Sequence, residues 1–384
     1  MNWFLTDEQK MIVETAREIA TKKILPVREK YDHEGIFPWD VMQALAEADL
    51  CGLYIPAQYG GFGGGVFELC LAVEELSKVC GGISLAMAAT ALGTFPLLLF
   101  GSDEQKKNYL PGIASGKIIA AFGLTEANAG SDALGMKTTA VRDGDYWILN
   151  GTKQWITNGE NAQVYSVFAK TNPTKGARGL TAFLIEKGTP GFTFGKHEDK
   201  MGIRASSTTE LIFQDCRVPG SAILGREGLG SIVAINTLNY SRPGVGAQAL
   251  GIAAGALEES VRYSRQRVQF GEPISSFQAI QHILADMATQ VEAGRALLYA
   301  TAKTIDAGEK RFSKESAMTK LFCSDTAMKV TVDAVQVMGG YGYMREYPAE
   351  KRMRDAKITQ IYEGTNQIQR NEIALQLIRE AASD

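Results

Sequence analysis

The sequence predicts an α+β protein of three consecutive domains, in which two helical regions flank a central region of short strands. Residues 1–119 carry apolar side chains at helical spacing, and residues 120–231 consist of short β-branched and aromatic runs. Residues 232–384 return to long amphipathic helical patterns. A chain of 384 residues is too long for one ordinary core, so division into domains is expected.

The N-terminal region, residues 1–119, is predicted to be a helical domain. Thr6 and Gln9 have the spacing of a capping box at the start of the first helix, and Ser102 gives a second N-cap signal. Apolar residues at helical spacing predict three further helices, over residues 41–48, 67–80 and 83–92.

The longest apolar stretch, residues 83–100, needs an explanation because its length approaches that of a membrane span. Polar residues, glycine and Pro96 interrupt it, so we expect a buried helix followed by a turn. The chain begins without a basic segment or a cleavage site, so we expect no export signal and a cytoplasmic location.

The central and C-terminal regions differ in the period of their apolar residues. Short strands are predicted over residues 146–149, 154–157, 164–169, 180–185 and 210–213, which favours a small antiparallel barrel or sandwich. Long helices are predicted over residues 245–267, 277–307 and 313–338, and helices of this length joined by short loops favour a four-helix bundle.

Composition excludes several classes of function. The chain has 40 basic and 43 acidic residues, well mixed, so neither a nucleic-acid surface nor a polybasic membrane patch is indicated. Its five cysteines are widely spaced and read as reduced core residues, and its three histidines lie far apart, so we expect no metal site. Acid–base chemistry would therefore fall to a carboxylate.

One carboxylate, Glu363, stands out because few other charges lie near it in the sequence. Tyr362 precedes it and can shield it from water, whereas Gly364 follows and allows a ligand to approach the backbone. This pattern predicts a general base. The alternative interpretation is a glutamate at a helix end, followed by a Gly-Thr cap.

Two segments of the central region have the composition of a ligand wall. Residues 122–132 alternate apolar residues with turn formers, which suits the binding of a polar ring edge or an amide, although an ordinary Ser-Asp loop explains the pattern as well. Trp155 and Thr157 lie two apart, hence on the same face of a strand, where a flat heterocycle could stack. The alternative for Trp155 is a buried core position.

Two further segments lie in the C-terminal region. Arg267 and Phe270 follow a predicted helix, and guanidinium groups bind diphosphates in bidentate fashion, although a helix end also favours basic residues. Residues 336–343 place glycines beside two tyrosines; alone, this segment is a helix stop. It lacks the spacing and the βαβ context of a dinucleotide fingerprint, so a Rossmann fold is disfavoured.

Taken together, these segments resemble the acyl-CoA dehydrogenase family over essentially the whole chain. The run from Lys200 to Thr209 and the pair Val218–Pro219 also look like the central strands of that family. The resemblance implies an FAD-dependent enzyme, short-chain or branched-chain in type, that oxidises an acyl-CoA thioester at its α and β carbons. It also implies a homotetramer that passes electrons to an electron-transferring flavoprotein.

The same resemblance implies a role for each matching residue. Glu363 would remove the α proton. The residues implied at the flavin are Phe122, Leu124, Thr125, Trp155 and Thr157. Those implied at the adenosine diphosphate half, reached from a neighbouring subunit, are Arg267, Phe270, Gln336 and Gly340, with Thr365 and Gln367 at the pyrophosphate. Those implied at the acyl-CoA are Ser131, Arg242, Tyr362 and Gly364.

Two positions refine this reading. Some relatives carry the base on an earlier helix, where this chain has Ser241, which cannot serve. Asn239 stands where many relatives have aspartate near the coenzyme amides, which leaves the local hydrogen-bond pattern open.

The acyl group is defined only by exclusion. In the family, the helix that matches residues 83–93 closes the bottom of the acyl pocket. No charged residue occurs here from 81 to 100, so the resemblance implies that a carboxylated, glutaryl-type tail is disfavoured, whereas small side chains suit a short, branched or alicyclic group. Alternatives within the same fold are an enoyl-CoA reductase direction and an oxygen-using acyl-CoA or nitroalkane-type oxidase. A non-catalytic acyl-CoA binding scaffold is the alternative from another class.

Overall fold

The computed structural model describes residues 3–382. The N-terminal region contains six α-helices: α1 (Asp7–Ile19), α2 (Arg28–Glu34), α3 (Trp39–Glu47), α4 (Val66–Val79), α5 (Gly81–Phe100) and α6 (Asp103–Ala114). The capping box predicted for α1 is confirmed, because the Gln9 amide donates to Thr6 Oγ1 at 3.2 Å and the Thr6 amide donates to Gln9 Oε1 at 3.0 Å. Ser102 caps α6 in the same way.

Helix α5 is a core helix. It is long and apolar enough to cross a membrane, but 72% of its most apolar window is buried inside the protein. The predicted buried helix is therefore confirmed, whereas its predicted end at residue 92 is wrong, since the helix continues through Pro96 to Phe100. A Cβ on Gly93 would lie 2.6 Å from the Ala121 amide nitrogen, so glycine is required where α5 meets the central region.

The central region forms one sheet of eight strands. They are β1 (Ala120–Gly123), β2 (Thr139–Asp143), β3 (Tyr146–Thr157), β4 (Val164–Lys170), β5 (Leu180–Glu186), β6 (Phe192–His197), β7 (Thr208–Pro219) and β8 (Ile223–Leu224). The order is β6-β7-β3-β2-β4-β5-β8, mainly antiparallel, with β1 pairing in parallel with β4. Strands β2 and β6 were not predicted, because charged residues and glycine hide their alternation.

Strand β3 joins the two strands predicted over 146–149 and 154–157. Its pairing with β7 is irregular at two places, near Gly151 and between Lys153 and Ile156. At the second irregularity Trp155 adopts a left-handed backbone conformation with φ 58°. A β-bulge redirects side chains, and this one places Trp155 away from the core.

The C-terminal region is built from six helices and a short hairpin. They are α7 (Gly230–Gln266), β9 (Val268–Gln269), β10 (Glu272–Pro273), α8 (Gln278–Asp306), α9 (Ser313–Met338), α10 (Gly340–Tyr343), α11 (Pro348–Thr359) and α12 (Asn366–Ala381). Helix α9 packs against α7, α8, α11 and α12, so it lies at the centre of this helical domain. Helix α7 begins at Gly230, well before the predicted residue 245, because tertiary burial extends it through Pro243.

Buried polar groups connect the two helical regions. Glu74 on α4 is 1% exposed and accepts hydrogen bonds from Arg295 Nε at 2.8 Å and from the Tyr299 hydroxyl at 2.9 Å, both on α8. The Asp306 carboxylate accepts from the Val66 and Phe67 amides at the start of α4. The five cysteines are buried and unpaired, as the sequence predicts.

Candidate active site

Glu363 lies in the turn between α11 and α12. Its backbone is left-handed, with φ 53°, and Gly364 follows with φ 92°. A glutamate at positive φ is uncommon and persists only where the surrounding structure imposes it. The Gln369 side-chain amide does so in part, because Nε2 donates to the Glu363 carbonyl at 3.1 Å and to the Gly364 carbonyl at 2.9 Å.

The Glu363 carboxylate faces a cavity between the helical domains and the sheet. Ser241 Oγ, on α7, donates a hydrogen bond to Glu363 Oε2. Burial raises the pKa of Glu363 to about 7, although the Ser241 hydroxyl and the positive charges of Arg242 and Lys320 oppose that rise. A carboxylate with a pKa near neutrality is suited to act as a general base.

The walls beside Glu363 are apolar and come from two core helices. Leu85, Ala88 and Ala89 of α5 line the cavity together with Gln248 of α7 and Tyr362. The Tyr362 hydroxyl donates to Gln248 Oε1, and Gln248 Nε2 donates to the Gly81 carbonyl at 2.8 Å. These bonds give the polar side chains in this part of the lining partners within the chain.

The opposite wall comes from the sheet. The predicted residues Phe122, Leu124, Thr125, Ser131, Trp155 and Thr157 all line the same cavity as Glu363. Trp155 is 55% exposed, so the core alternative for this tryptophan is wrong. Within residues 3–382, the hydroxyls of Thr125, Ser131 and Thr157 make no hydrogen bond and are available to a ligand.

A buried ion pair supports this wall from behind. Lys153 is fully buried in β3, and its Nζ donates to Glu126 at 2.8 Å and to the Leu124 carbonyl at 3.1 Å. Glu126 also accepts from Thr138 and from the Lys137 amide. Burial alone would raise the pKa of Glu126, but Lys153 and the other donors hold it at about 2, so the pair is ionised at neutral pH.

Arg242 is the buried cation of the cavity. It is 7% exposed, it donates to Asn239 Oδ1 at 3.0 Å, and its Nε has no partner in the described part of the chain. Asn239 is neutral, so it accepts this hydrogen bond without adding a negative charge beside Arg242. An unpaired buried donor indicates a ligand acceptor at this point.

The remaining predicted residues lie elsewhere. Arg267, Phe270 and Gly340 share a separate surface cavity of about 560 Å³, in which the Arg267 guanidinium lies 5.3 Å from the centre of the Tyr341 ring. Gln336 and Gln367 are exposed and line neither cavity. Thr365 caps α12 by accepting from the Ile368 amide at 3.3 Å. Within a single chain, the residues predicted to contact the flavin and those predicted to contact the adenosine diphosphate half therefore lie in different places.

Three family models match consecutive parts of the chain. The N-terminal, middle and C-terminal domains of acyl-CoA dehydrogenase match residues 6–117, 121–216 and 228–378. The chain belongs to the acyl-CoA dehydrogenase family. It is therefore an oxidoreductase, and the predicted fold class is confirmed.

Relatives and solved structures agree with this assignment. A short-chain specific acyl-CoA dehydrogenase from Megasphaera elsdenii is 48% identical, covering 96% of this chain and 97% of that protein. An acryloyl-CoA reductase (NADH) from Anaerotignum propionicum is 48% identical over 99% of this chain and 96% of that one. A chain in a structure of the electron transferring flavoprotein of Acidaminococcus fermentans is 51% identical, with a TM-score of 0.96, covering 99% of this chain and 100% of that chain.

The cofactor of the family is FAD, and the cavity of this chain fits it. An acyl-CoA dehydrogenase from Bacillus anthracis complexed with FAD is 36% identical, with a TM-score of 0.93, over 99% of this chain and 68% of that one. In the present structure, Trp155 offers an exposed aromatic face, and unpaired hydroxyls of Thr125 and Thr157 lie on the same wall. An aromatic face beside free hydroxyls suits a flat ring with a polar edge.

Several contacts in the site were not predicted from the sequence. They involve Lys320, Gln248, the hydrogen bond from Ser241 and the Lys153–Glu126 pair. One signal was present for Lys320, because it lies at helical spacing from Ala317 and Ser324 on the buried side of α9. The other contacts join residues far apart in the chain, for which a single sequence gives no signal.

Proposed function

We propose that this protein dehydrogenates an acyl-CoA thioester between its α and β carbons, with Glu363 as the base that removes the α proton. The observation that carries the proposal is the position of Glu363. Its carboxylate, desolvated to a pKa of about 7, lines the same cavity as the exposed Trp155 face. A base and a ring-binding wall on one cavity suit removal of a proton and a hydride from neighbouring carbons.

The chemical difficulty is the weak acidity of a carbon acid. The Glu363 amide donates to no acceptor within residues 3–382, so it is available to the thioester oxygen, where it would stabilise the charge that develops as the α proton leaves. FAD, when bound, supplies the acceptor for the β hydride. The α proton ends on the Glu363 carboxylate.

Neighbouring side chains prepare Glu363 for this step. The Ser241 hydroxyl stabilises the ionised carboxylate, and Arg242 supplies a nearby positive charge with an unpaired Nε. Tyr362 lies beside the base with its hydroxyl bound to Gln248, which leaves the ring to exclude water.

The cavity favours a short acyl group that is straight, branched or alicyclic. Hydrogen bonds hold Gln248 and Tyr362 in the lining, so we infer that they limit the depth of the cavity, whereas the small alanines of α5 leave lateral space. No charged residue occurs in α5, so a second carboxylate on the acyl chain would find no cationic partner on that helix. The short-chain specificity named for the Megasphaera relative supports the same class.

The electron acceptor we propose is an electron-transferring flavoprotein, which the likeness to a chain in the Acidaminococcus structure supports. We further propose a homotetramer, in which a neighbouring subunit brings the cavity of Arg267 and Phe270 to the flavin wall. Phe270 is 95% exposed in the single chain, which supports a partner there.

A second candidate is catalysis in the reductive direction. The acryloyl-CoA reductase relative, 48% identical, favours it. The same groups serve both directions, because Glu363 would return a proton to the α carbon when the thioester is reduced.

Replacing Glu363 tests the proposed base. Glu363→Gln keeps the shape of the side chain but removes the proton acceptor, so we expect dehydrogenation to fall at least ~100-fold while the flavin stays bound. Glu380 is an exposed glutamate paired with Lys314, so Glu380→Gln is the matched control. This variant should keep both wild-type dehydrogenation and bound flavin. Substantial turnover in Glu363→Gln would contradict the assignment, and a flavin-free wild type would favour a binding scaffold.

The acyl group and the direction are tested by a rate profile. We expect butyryl-, isobutyryl- or cyclohexanecarbonyl-CoA to be oxidised faster than hexanoyl-CoA, because Gln248 and Tyr362 close the cavity. Rates with the flavoprotein acceptor, with air and with enoyl-CoA as the starting material separate dehydrogenase, oxidase and reductase. A preference for hexanoyl-CoA would show that the cavity opens further.

A further inference from the structure

A fully buried lysine lies under the turn that carries Glu363. Lys320 has no exposed surface and lies on the side of α9 that packs inside the helical domain, near the buried Ala317 and Ser324. Lysine is almost never fully buried unless its charge has a partner.

The partners of Lys320 are neutral oxygens. Its Nζ donates to the Gly364 carbonyl at 2.8 Å and to Asn366 Oδ1 at 2.8 Å. In the part of the chain that the structure describes, Lys320 forms no ion pair. Gly364 belongs to the turn that carries Glu363, and Asn366 begins α12 directly after it.

The buried charge of Lys320, considered by itself, lowers the stability of the folded protein. Burial lowers the pKa of Lys320 to about 7, and Arg242 adds a like charge, whereas Glu363 favours the charged form. A single charge taken out of water costs free energy unless it is paired, and neutral oxygens offset only part of that cost. Stability therefore gives no reason for a lysine here.

The turn itself needs external support. Glu363 has a left-handed backbone, which is strained in a residue other than glycine. Two donors hold the carbonyls on either side of Gly364: Gln369 Nε2 from α12 and Lys320 Nζ from α9. Asn366 is fixed in turn by Ser324 and Asp325.

We propose that Lys320 is a positioning residue for the base: it holds the Gly364 carbonyl, so that the Glu363 carboxylate points into the cavity, and its charge favours the ionised carboxylate. This inference rests on the proposed role of Glu363. Lys320 itself touches neither substrate nor flavin.

The other charged groups around Glu363 define the background for a pH test. The titratable or charged residues that act on Glu363 or on its neighbours are Arg242 (α7), Lys320 and Asp325 (α9), Asp355 (α11), Tyr362 (in the turn itself) and Glu372 (α12). Removing Lys320 leaves Arg242 as the one full positive charge, among these residues, that opposes the rise in the Glu363 pKa. That pKa should then increase.

The experiment isolates proton removal from hydride transfer. Acetyl-CoA has α hydrogens but no β carbon, so it can lose a proton to the base but cannot transfer a hydride. The rate at which the holoenzyme exchanges the α hydrogens of acetyl-CoA for deuterium in D₂O, followed by NMR, therefore reports the base alone. Lys320→Met removes donor and charge, Lys320→Gln keeps a donor without the charge, and Lys329→Met on the exposed side of α9 is the control. Flavin content and the midpoint of thermal unfolding are measured for each variant.

We expect Lys320→Met to exchange at least ~10-fold more slowly than wild type, since small misplacement of a catalytic group is costly. Its unfolding midpoint should be unchanged or raised, and the acid limb of its pH profile should move to higher pH. Lys320→Gln should show the same pH shift with a smaller loss of rate, and Lys329→Met should exchange at the wild-type rate with the wild-type pH profile.

Two results would overturn the proposal. One is a Lys320→Met variant that exchanges acetyl-CoA hydrogens at the wild-type rate and whose pH profile has its acid limb at the wild-type pH. The other is a loss of exchange accompanied by a lowered unfolding midpoint in both Lys320 variants, because that would show a purely structural lysine. Persistent exchange in Glu363→Gln would instead reject the proposed base itself.

Discussion

At the scale of single residues, the pKa of Glu363 is set by burial, which raises it, and by neighbouring polar and charged groups, which lower it by a smaller amount. Burial makes the ionised form of Glu363 unfavourable, whereas the Ser241 hydroxyl and the Arg242 and Lys320 cations favour it. The balance brings the pKa of Glu363 to about 7, far above that of an exposed glutamate. The sequence shows that Ser241 and Arg242 are present, but their effect on the Glu363 pKa depends on their distance from the carboxylate, which only the structure gives.

This balance predicts how activity depends on pH. Below about 7 the Glu363 carboxyl carries a proton and cannot accept another, so kcat/KM should rise as the pH increases through about 7. Ser241→Ala removes a donor to the carboxylate and should move this acid limb to higher pH. Steady-state kinetics of the wild type and of Ser241→Ala across the pH range check both predictions, with two buffers at each pH to show that the rate does not depend on the buffer. A kcat/KM profile that is flat near neutrality would contradict the assigned pKa.

The same raised pKa has a consequence for stability. A carboxyl group whose pKa is higher in the folded state binds its proton more tightly there, so its stabilising contribution is complete below the unfolded pKa. That contribution is lost as the pH rises through about 7. Glu363→Gln should therefore flatten the pH dependence of the unfolding free energy in that window.

At the scale of elements, the bulge in β3 shapes the wall that we propose for the flavin. Alternation along a regular strand would place Lys153 and Trp155 on the same face, but the irregular pairing buries the lysine and exposes the tryptophan. Lys153 then reaches Glu126 and the Leu124 carbonyl, which ties β3 to the segment after β1. The wall is thus one unit made of two segments.

Breaking that pair should loosen the wall. Lys153→Met leaves the Glu126 carboxylate without its cation, and we expect a loss of about 3 kcal/mol in unfolding free energy, with weaker retention of flavin. Urea unfolding followed by tryptophan fluorescence measures the loss. Adding Glu126→Gln removes the uncompensated charge and should restore part of it; equal stability of Lys153→Met and wild type would show that the pair contributes little.

At the scale of the whole molecule, the cavity exists because three domains meet. Helix α5 from the N-terminal region, the sheet, and α7 with the Glu363 turn each supply part of its lining. Helix α4 packs on α7 and α8, and the buried Glu74 is bound there by Arg295. Stability of the interface between the helical domains therefore affects the geometry of the site.

Removing the partner of Glu74 should destabilise both helical domains together. Arg295→Met leaves a carboxylate that is 1% exposed with the Tyr299 hydroxyl as its remaining partner on α8, and we expect a loss of about 3 kcal/mol. Lys329→Met, which breaks an exposed pair with Asp333, should cost about 0.5 kcal/mol. Calorimetry that showed equal midpoints for the two variants would contradict the expected weight of the buried pair.

Local patterns in the sequence determined much of this protein. The two capping boxes, the long amphipathic helices and the β-branched runs fixed the α+β class, because each depends on residues close together in the chain. The Tyr362-Glu363-Gly364 pattern marked the proposed base for the same reason. A single acid between an aromatic residue and a glycine is visible without knowledge of the fold.

Only the tertiary structure decided the surroundings of that acid. The parallel pairing of β1 with β4, the buried contacts of Lys320 and the hydrogen bond from Ser241 join segments that are distant in the chain. The pKa of a carboxylate depends on burial and on nearby charges, and both are set by such long-range packing. The sequence therefore marks Glu363, whereas the packing around it brings its pKa to about 7, the value that suits the base we propose.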